Sequence, residues 1–296
     1  MKMIYLCFLL CTVTVSCSST SPKNPLETEE EPSDYFESSF GKIAYYTKGK
    51  GPKLILLHAA GHDHRDFDAI LPALISKYQV ISLDWPGHGK SEWSSSEEIS
   101  AVFFPTLLRE FLEKKAPEGS ILMGNSIGGY ASLKLALEQP NLVKGLILVD
   151  TGGMNELDIS SKAFIKLKSN IWFTSMIWNF FPKFYTKIEN VHTNQMLDRI
   201  KKAKLEPKAV ETNASLWKSF LDENYNLRNF VSQISQPTLI VWGKNDPVIY
   251  PKFGRDLHDK ISDSEFELLD TGHIPFAEDP ERFLQILFGF LSKRNL

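Results

Sequence analysis

The chain has 296 residues, of which 43% are apolar and 23% are charged, and its formal net charge is −3. Residues 1–35 contain two lysines and five acidic residues, so they account for the whole net charge and the remainder is neutral. A neutral body offers no electrostatic basis for binding nucleic acid, which we exclude as a partner, and the length suits one large domain or a domain with an insertion.

The first 16 residues are predicted to be a signal peptide. Lys2 is followed by an apolar run from Met3 to Val15, which is too short for a comfortable membrane span. Thr14-Val15-Ser16-Cys17 resembles a bacterial lipobox, although such motifs usually have Leu, Val or Ile in place of Thr14. The resemblance implies lipidation of Cys17 and an exported, membrane-anchored bacterial lipoprotein that faces the periplasm or lies at the cell surface. An uncleaved anchor or an ordinary secretion signal is the alternative.

Residues 17–35 are predicted to form a flexible tether, because they are rich in Ser, Pro and Glu and cannot bury apolar area. All three cysteines (Cys7, Cys11 and Cys17) lie at the N-terminus, so the mature fold should contain no internal disulfide. Export favours disulfides, but a core of this size does not need them.

Apolar runs that alternate with helix-like patterns follow the tether. Runs typical of strands lie at 40–47, 53–57, 79–83, 120–123, 145–149, 238–242 and 265–269. Patterns typical of helices lie at 100–115, 127–139, 252–261 and 280–293. Near-continuous apolar strands in such an alternation indicate a parallel sheet covered by helices on both faces. The chain is therefore predicted to be an α/β protein whose core comprises residues 36–152 and 235–296.

Residues 153–234 interrupt the alternation and are predicted to form a helical cap over one end of the sheet. The segment has no strand-like run but is rich in helix formers and aromatic residues, most of which should form the cap's own core. The run from Trp172 to Phe184 is too densely apolar to be wholly internal, so part of it should line a cleft. The candidates for this substrate-binding lining are Trp172, Phe173, Trp178 and Phe181.

The loops after the predicted strands matter because open parallel sheets bind ligands at the carboxyl ends of their strands. In His58-Ala59-Ala60-Gly61, small residues let the backbone turn, and the Ala60 N–H is predicted to form an oxyanion hole with the N–H of Ile127. His62-Asp63-His64-Arg65-Asp66 contains metal-ligand types, but a polar loop beside the cleft is the preferred interpretation and no metal is expected. Asp84 is predicted to stabilise a turn.

Gly124-Asn125-Ser126-Ile127-Gly128-Gly129 lies between a strand-like run and a helix-like run and is typical of a nucleophile elbow. Ser126 occupies the apex of the turn, and the flanking glycines leave room for the neighbouring strand and helix. The first N–H groups of the helix stabilise negative charge at the serine. Ser126 is therefore the predicted nucleophile.

Asp246 and His273 are predicted to complete a catalytic triad with Ser126, in the chain order Ser, Asp, His of the nucleophile-elbow enzymes. Each follows a predicted strand in a loop that contains glycine. Asp150, at the end of its own strand, is the alternative acid, since a carboxylate needs only to reach the imidazole. The triad predicts an acyl-enzyme mechanism in which His273 accepts the serine proton, with no metal or organic cofactor.

Together these motifs resemble the α/β-hydrolase superfamily over about residues 36–296. The resemblance rests on His58-Ala-Ala-Gly61, Asp84-x-Pro-Gly-His-Gly-x-Ser91, Gly124-Asn-Ser-Ile-Gly-Gly129, Trp242-Gly-x-x-Asp246 and Gly272-His-x-Pro-x-x-Glu278. It implies a mostly parallel sheet flanked by helices, with the helical cap inserted after the sixth strand. Ala59 stands where the family usually has Gly, a departure that concerns only the fine geometry of the oxyanion loop.

The predicted reaction is hydrolysis of a carboxylic ester with an apolar acyl or alcohol part, and the aromatic cap supports a small apolar acyl substrate. A serine nucleophile excludes the dehalogenases and epoxide hydrolases of the superfamily, which use aspartate. The elbow is also similar to that of carbon–carbon bond hydrolases of vinylogous diketones, but those usually have tryptophan where this chain has Ile274. Aminopeptidase and acyltransferase activities stay open, and a non-catalytic binding protein is the least favoured alternative.

Overall fold

The computed structural model describes residues 30–94, 98–154, 156–206 and 208–296. Pro32–Leu296 form the folded unit considered below. The predicted signal peptide, Cys17 and most of the predicted tether lie outside the described residues. Among the helices of the described part, none has the length and apolar character needed to span a membrane.

Eight strands of the described residues form one mostly parallel sheet. They are β1 (Asp34–Ser38), β2 (Gly41–Lys48), β3 (Lys53–Leu57), β4 (Gln79–Leu83), β5 (Ser120–Asn125), β6 (Val143–Val149), β7 (Thr238–Gly243) and β8 (Ser264–Leu269). Their order is β1-β2-β4-β3-β5-β6-β7-β8; β2 is antiparallel to both of its neighbours, and the strands from β4 to β8 pair in parallel. The sheet confirms the predicted α/β fold.

The seven predicted strands are all present, with ends within two residues of those predicted, whereas β1 was not predicted. Residues 34 and 35 belong to β1, so the predicted tether at 17–35 extends two residues too far. The physical reason is the composition of β1, in which Phe36 alone is buried and faces Ile43 of β2. In its hydrophobic pattern, a strand with one buried apolar residue cannot be distinguished from the polar segment before it.

The helices of the described residues cover both faces of the sheet. They are α1 (Leu71–Leu74), α2 (Phe104–Lys115), α3 (Ile127–Glu138), α4 (Ile159–Lys168), α5 (Ile171–Ile177), α6 (Phe181–Tyr185), α7 (Val191–Ala203), α8 (Ala209–Ser219), α9 (Pro251–His258), α10 (Pro275–Glu278) and α11 (Pro280–Lys293). α2, α3 and α9 pack on one face, and α1 and α11 pack on the other. In α2, the buried residues recur at helical spacing: Phe104, Leu107, Leu108, Phe111 and Leu112. Each large apolar side chain so buried stabilises the fold by about 1.5–3 kcal/mol.

The helical insertion follows the sixth strand, as the resemblance implies, because α4 to α8 lie between β6 and β7. Side chains of the insertion bond to the sheet domain at several points. In one of them, Nη2 of Arg199 in α7 donates to the Arg65 carbonyl at 2.9 Å. The insertion is thereby held over the carboxyl ends of the parallel strands, where the candidate site lies.

Candidate active site

Ser126 lies between β5 and α3 at the apex of a sharp turn. Its φ is +54°, in the left-handed region that residues other than glycine seldom adopt. The Ser126 N–H donates to the Val149 carbonyl at 3.1 Å, and the Ser126 carbonyl accepts from the Gly152 N–H at 2.9 Å. Such a conformation persists only where the surroundings impose it, and the end of β6 imposes it here.

Two positions of the elbow must be glycine because other backbone segments approach them closely. A Cβ at Gly124 would collide with the backbone of Gly128, and a Cβ at Gly128 would collide with the Leu57 carbonyl of β3. Because neither position carries a side chain, α3 begins directly behind Ser126 and packs against the sheet.

Two backbone amides, those of Ala60 and Ile127, are the predicted oxyanion hole. Ile127 is the first residue of α3, so its N–H has no acceptor within the helix. Ala60 lines the same cavity as Ser126. Within the described part of the chain, neither N–H donates to another protein group. The oxyanion hole formed by these two amides stays a prediction.

Two buried histidines, for which the sequence predicted no role, fix the loop that carries Ala60. His58 accepts a hydrogen bond from the Trp85 N–H through Nε2 at 2.9 Å and donates from Nδ1 to the Ala59 carbonyl at 2.7 Å. Nε2 of His88 accepts from the Gly61 N–H at 3.0 Å. Burial lowers the pKa of both rings, that of His88 to about 3, so both are neutral at ordinary pH.

His273 and Asp246 form a buried hydrogen-bonded pair. Nδ1 of His273 lies 2.7 Å from Oδ2 of Asp246. The other carboxylate oxygen of Asp246 accepts from the N–H groups of Val248 and Ile249, at 2.8 and 3.2 Å. The carboxylate is therefore fixed as the acceptor of the Nδ1 proton, which leaves Nε2 of His273 to act as a base. His273 and Ser126 line the same cavity.

Side chains distant in sequence hold the backbone around His273. Nδ2 of Asn125 donates to the carbonyls of Val149 and His273, each at 3.1 Å. The His273 N–H donates to the Tyr185 carbonyl of the cap at 2.9 Å. The sequence motif contained Asn125, directly before the nucleophile, but no pattern indicated that it reaches across to the histidine loop.

Glu278 joins the histidine loop to the cap. Its buried carboxyl group accepts hydrogen bonds from the N–H groups of Gly272, Lys187 and Ile188 at 2.8–3.0 Å. Burial raises the pKa of Glu278 despite these donors. Glu278 is the last residue of the motif Gly272-His-x-Pro-x-x-Glu278. Its carboxyl group links the loop that carries His273 to the cap.

Asp150, the alternative acid, lies behind the pair. It accepts a hydrogen bond from the Gly243 N–H at 2.9 Å. Burial and the adjacent charge of Asp246 raise the pKa of Asp150 well above its usual value, which favours the neutral form of its carboxyl group. The side-chain oxygen and nitrogen atoms of Asp150, Asp246 and His273 lie within 4.8 Å of one another, a spacing that suits a metal ion. The hydrogen bond between His273 and Asp246 favours a role in proton transfer over metal binding.

The polar run from His62 to Asp66 does not converge on one point. Nδ1 of His62 lies 2.6 Å from Asp66, and its Nε2 lies 2.7 Å from the hydroxyl of Tyr185 in the cap. His64 instead pairs with Asp84 at 2.9 Å. The two histidines therefore have different carboxylate partners, and Asp84 holds the turn by accepting from both the ring and the backbone N–H of His64.

A cavity of about 660 Å³ lies between Ser126 and the cap. Of the four predicted lining residues, Trp178 and Phe181 line it, and Trp172 and Phe173 do not. Trp172 is 73% exposed because its side of α5 faces outward, whereas Trp178 is buried and donates from Nε1 to the Ile200 carbonyl at 2.7 Å. The prediction was wrong for Trp172 and Phe173, since aromatic density alone does not show which side of a short helix faces the cavity.

Comparisons with known proteins agree with this architecture. A family described as "alpha/beta hydrolase fold" matches residues 52–280. A 2-hydroxy-6-oxononadienedioate/2-hydroxy-6-oxononatrienedioate hydrolase of Escherichia coli is 28% identical to this chain, and the match covers 85% of this chain and 91% of the hydrolase. A pyrrolizixenacetamide deacetylase of Xenorhabdus hominickii is 23% identical to this chain, and the match covers 86% of this chain and 96% of the deacetylase. The enol-lactonase of Burkholderia xenovorans LB400 superposes with a TM-score of 0.78 at 19% identity, over 88% of this chain and all of the lactonase.

Proposed function

The chain belongs to the α/β-hydrolase family, and we propose that it is a serine hydrolase that cleaves carboxylic esters with apolar groups. One observation carries the proposal: Ser126, on a strained turn, shares a cavity with a histidine that is hydrogen-bonded to a buried carboxylate. A serine hydroxyl becomes nucleophilic when such a base accepts its proton.

In the proposed mechanism, Nε2 of His273 takes the proton of Ser126 Oγ as that oxygen bonds to the ester carbonyl carbon. The oxyanion accepts hydrogen bonds from the N–H groups of Ala60 and Ile127. The tetrahedral intermediate collapses, the alcohol leaves with the proton from His273, and an acyl-enzyme remains. A water molecule, deprotonated by His273, then attacks the acyl carbon and releases the acid and free Ser126.

The lining of the cavity supports an apolar substrate. Trp178, Phe181 and Trp217 contribute aromatic surface, and the volume of about 660 Å³ lies within the range of small-molecule sites. Two relatives named above, the Escherichia coli hydrolase and the Xenorhabdus hominickii deacetylase, carry the names of hydrolytic enzymes. Their names are consistent with a hydrolytic activity, and the aromatic cavity supports an ester with apolar groups as the substrate.

A substrate series will rank the candidate reactions. We expect turnover of p-nitrophenyl esters to rise with acyl length by roughly fourfold in kcat/KM per methylene, because each buried methylene contributes about 0.8 kcal/mol. The rise should stop when the chain fills the cavity. Initial rates would be measured beside a vinylogous diketone and an aminoacyl p-nitroanilide. A larger kcat/KM for either of these than for every ester would replace ester hydrolysis with the corresponding reaction.

We also propose that the protein is exported and anchored to a membrane through a lipid on Cys17. The signal-like segment supports this, and so does the outer face of the cap. Between residues 159 and 188, the exposed apolar side chains that do not line the cavity are Ile159, Leu167, Ile171, Trp172, Met176 and Phe180. Besides the buried Lys168, residues 159–188 contain four exposed lysines and no acidic residue, a combination typical of surfaces that lie against anionic lipid.

Lipidation has a direct test. In cells supplied with an alkyne-tagged fatty acid, the full chain should acquire the tag and Cys17→Ala should lose it completely, because the thiol is the proposed attachment point. Cys11→Ala, in the segment that would be removed, is the matched control and should be labelled like the wild type. Equal labelling of Cys17→Ala and wild type, read by click chemistry on a gel, would contradict the anchor.

A further inference from the structure

One charged side chain in the cavity has no charged partner. Lys168 is the last residue of α4, and its side chain is only 2% exposed. Its ammonium group donates to Oδ1 of Asn213 at 3.0 Å and lies 5.0 and 5.6 Å from the ring centres of Phe181 and Trp217. No carboxylate within the described ranges forms an ion pair with it.

Burying an ammonium group without a counter-ion is costly. One neutral amide and two aromatic faces offset only part of that cost, and burial lowers the pKa of Lys168 to about 7. An apolar residue of similar length would fill the same space between α4 and α8 without this cost. The lysine is therefore better explained by a ligand than by packing.

The position of Lys168 connects it to the proposed reaction. Lys168, Asn213, Phe181 and Trp217 all line the cavity that contains Ser126 and His273. Asn213 also packs against Gly61, where an added Cβ would lie 2.6 Å from its Nδ2. Gly61 is the neighbour of Ala60, so the amide that holds the ammonium group also contacts the oxyanion loop.

We propose that Lys168 binds a carboxylate of the substrate, so that the preferred substrates are apolar acyl compounds that carry one carboxylate away from the bond cleaved. This inference rests on the proposed function and specifies the substrate class of that site. A carboxylate would supply the missing counter-ion, and the aromatic walls would contact the apolar part of the same molecule.

Other charges around Lys168 do not replace a ligand, because they are exposed or neutral. They are Lys162 and Lys166 on α4, Glu156 and Asp158 before it, Lys183 and neutral Tyr185 on α6, and Glu211 and Lys218 on α8. The sequence of α5 has no titratable side chain. Burial alone accounts for the lowered pKa of Lys168.

The protonation of Lys168 gives the expected pH dependence. Its ammonium form predominates below about pH 7 and is lost as the pH rises through that value. For an ester with a carboxylate, kcat/KM should fall by up to about tenfold per pH unit above pH 7 relative to a neutral ester. The ratio of kcat/KM for the two substrates cancels pH effects on the catalytic steps that both substrates share.

The test uses the full chain with mono-p-nitrophenyl esters of C6–C10 dicarboxylic acids and their methyl-capped counterparts. At pH 6 the wild type should prefer the free carboxylate, and Lys168→Met should lose about 10- to 100-fold of that preference, measured as the ratio of kcat/KM for charged and capped ester, as expected for a charge-assisted hydrogen bond. Lys168→Arg should keep most of the preference. Lys166→Met, on the exposed side of the same helix, is the matched control and should keep all of it.

An identical ratio of charged to capped ester in wild type and Lys168→Met would overturn the inference, and so would a pH-independent ratio in the wild type. The pH profile is measured on the wild type. The proposal therefore stays testable even if Lys168→Met is destabilised. If the wild type cleaved no ester, the proposed function would fail. Calorimetric binding of suberate to wild type and Lys168→Met would then test the carboxylate site separately, and equal affinities would reject it.

Discussion

Ser126→Ala is expected to lower kcat for an activated ester by about 10⁶-fold, the loss seen when a triad serine is removed from a serine hydrolase. The reason is geometric: the elbow places Ser126 in the same cavity as His273, the proposed base. Alanine keeps the Cβ and the same backbone strain at φ +54°, so the melting temperature should change little. Stopped assays of p-nitrophenyl butyrate would measure the residual rate.

Ser132→Ala is the matched control. Ser132 lies on α3, is fully buried and donates to the Gly128 carbonyl at 2.8 Å, without lining the cavity. Removal of that hydrogen bond should cost about 1 kcal/mol of stability and leave turnover unchanged. If Ser126→Ala retained more than a tenth of wild-type activity while Ser132→Ala lost it, the nucleophile would not be Ser126.

Most of the sheet was predictable because its strands are apolar on both faces. Runs such as Leu54–Leu57 have no solvated side, and a continuous apolar run bounded by turn residues has few other structures. β1 shows the limit of this reasoning, since it is an edge strand with Phe36 as its one buried residue. Its place in the sheet depends on pairing with β2, which is a tertiary property.

The candidate site also has a part that the sequence predicts and a part that depends on tertiary contacts. Ser126, Asp246 and His273 were predictable because each follows a strand, and the carboxyl ends of parallel strands lie at one edge of the sheet. The contact from Asn125 to the His273 carbonyl joins residues 148 apart in sequence, and no local pattern encodes it. The burial of Lys168 was equally hidden, because α4 also carries exposed lysines and the sequence does not show which of them faces the cavity.

Asp246→Asn is expected to lower kcat by about 10⁴-fold, because an amide can hold the imidazole in place but favours the wrong tautomer and cannot stabilise its cation. Asp150→Asn should change kcat by less than tenfold. Burial and the charge of Asp246 raise the pKa of Asp150 well above its usual value, which favours a neutral carboxyl group. An asparagine has nearly the same shape and can accept the same hydrogen bond from the Gly243 N–H.

The two asparagine variants form a matched pair, since both replace a buried acid within the same cluster of ligand atoms. Measuring kcat/KM from pH 5 to 9, together with thermal unfolding, separates loss of catalysis from loss of fold. A large loss in Asp150→Asn with near-normal Asp246→Asn would reverse the assignment and make Asp150 the acid. Equal losses in both would mean that catalysis depends on both carboxyl groups.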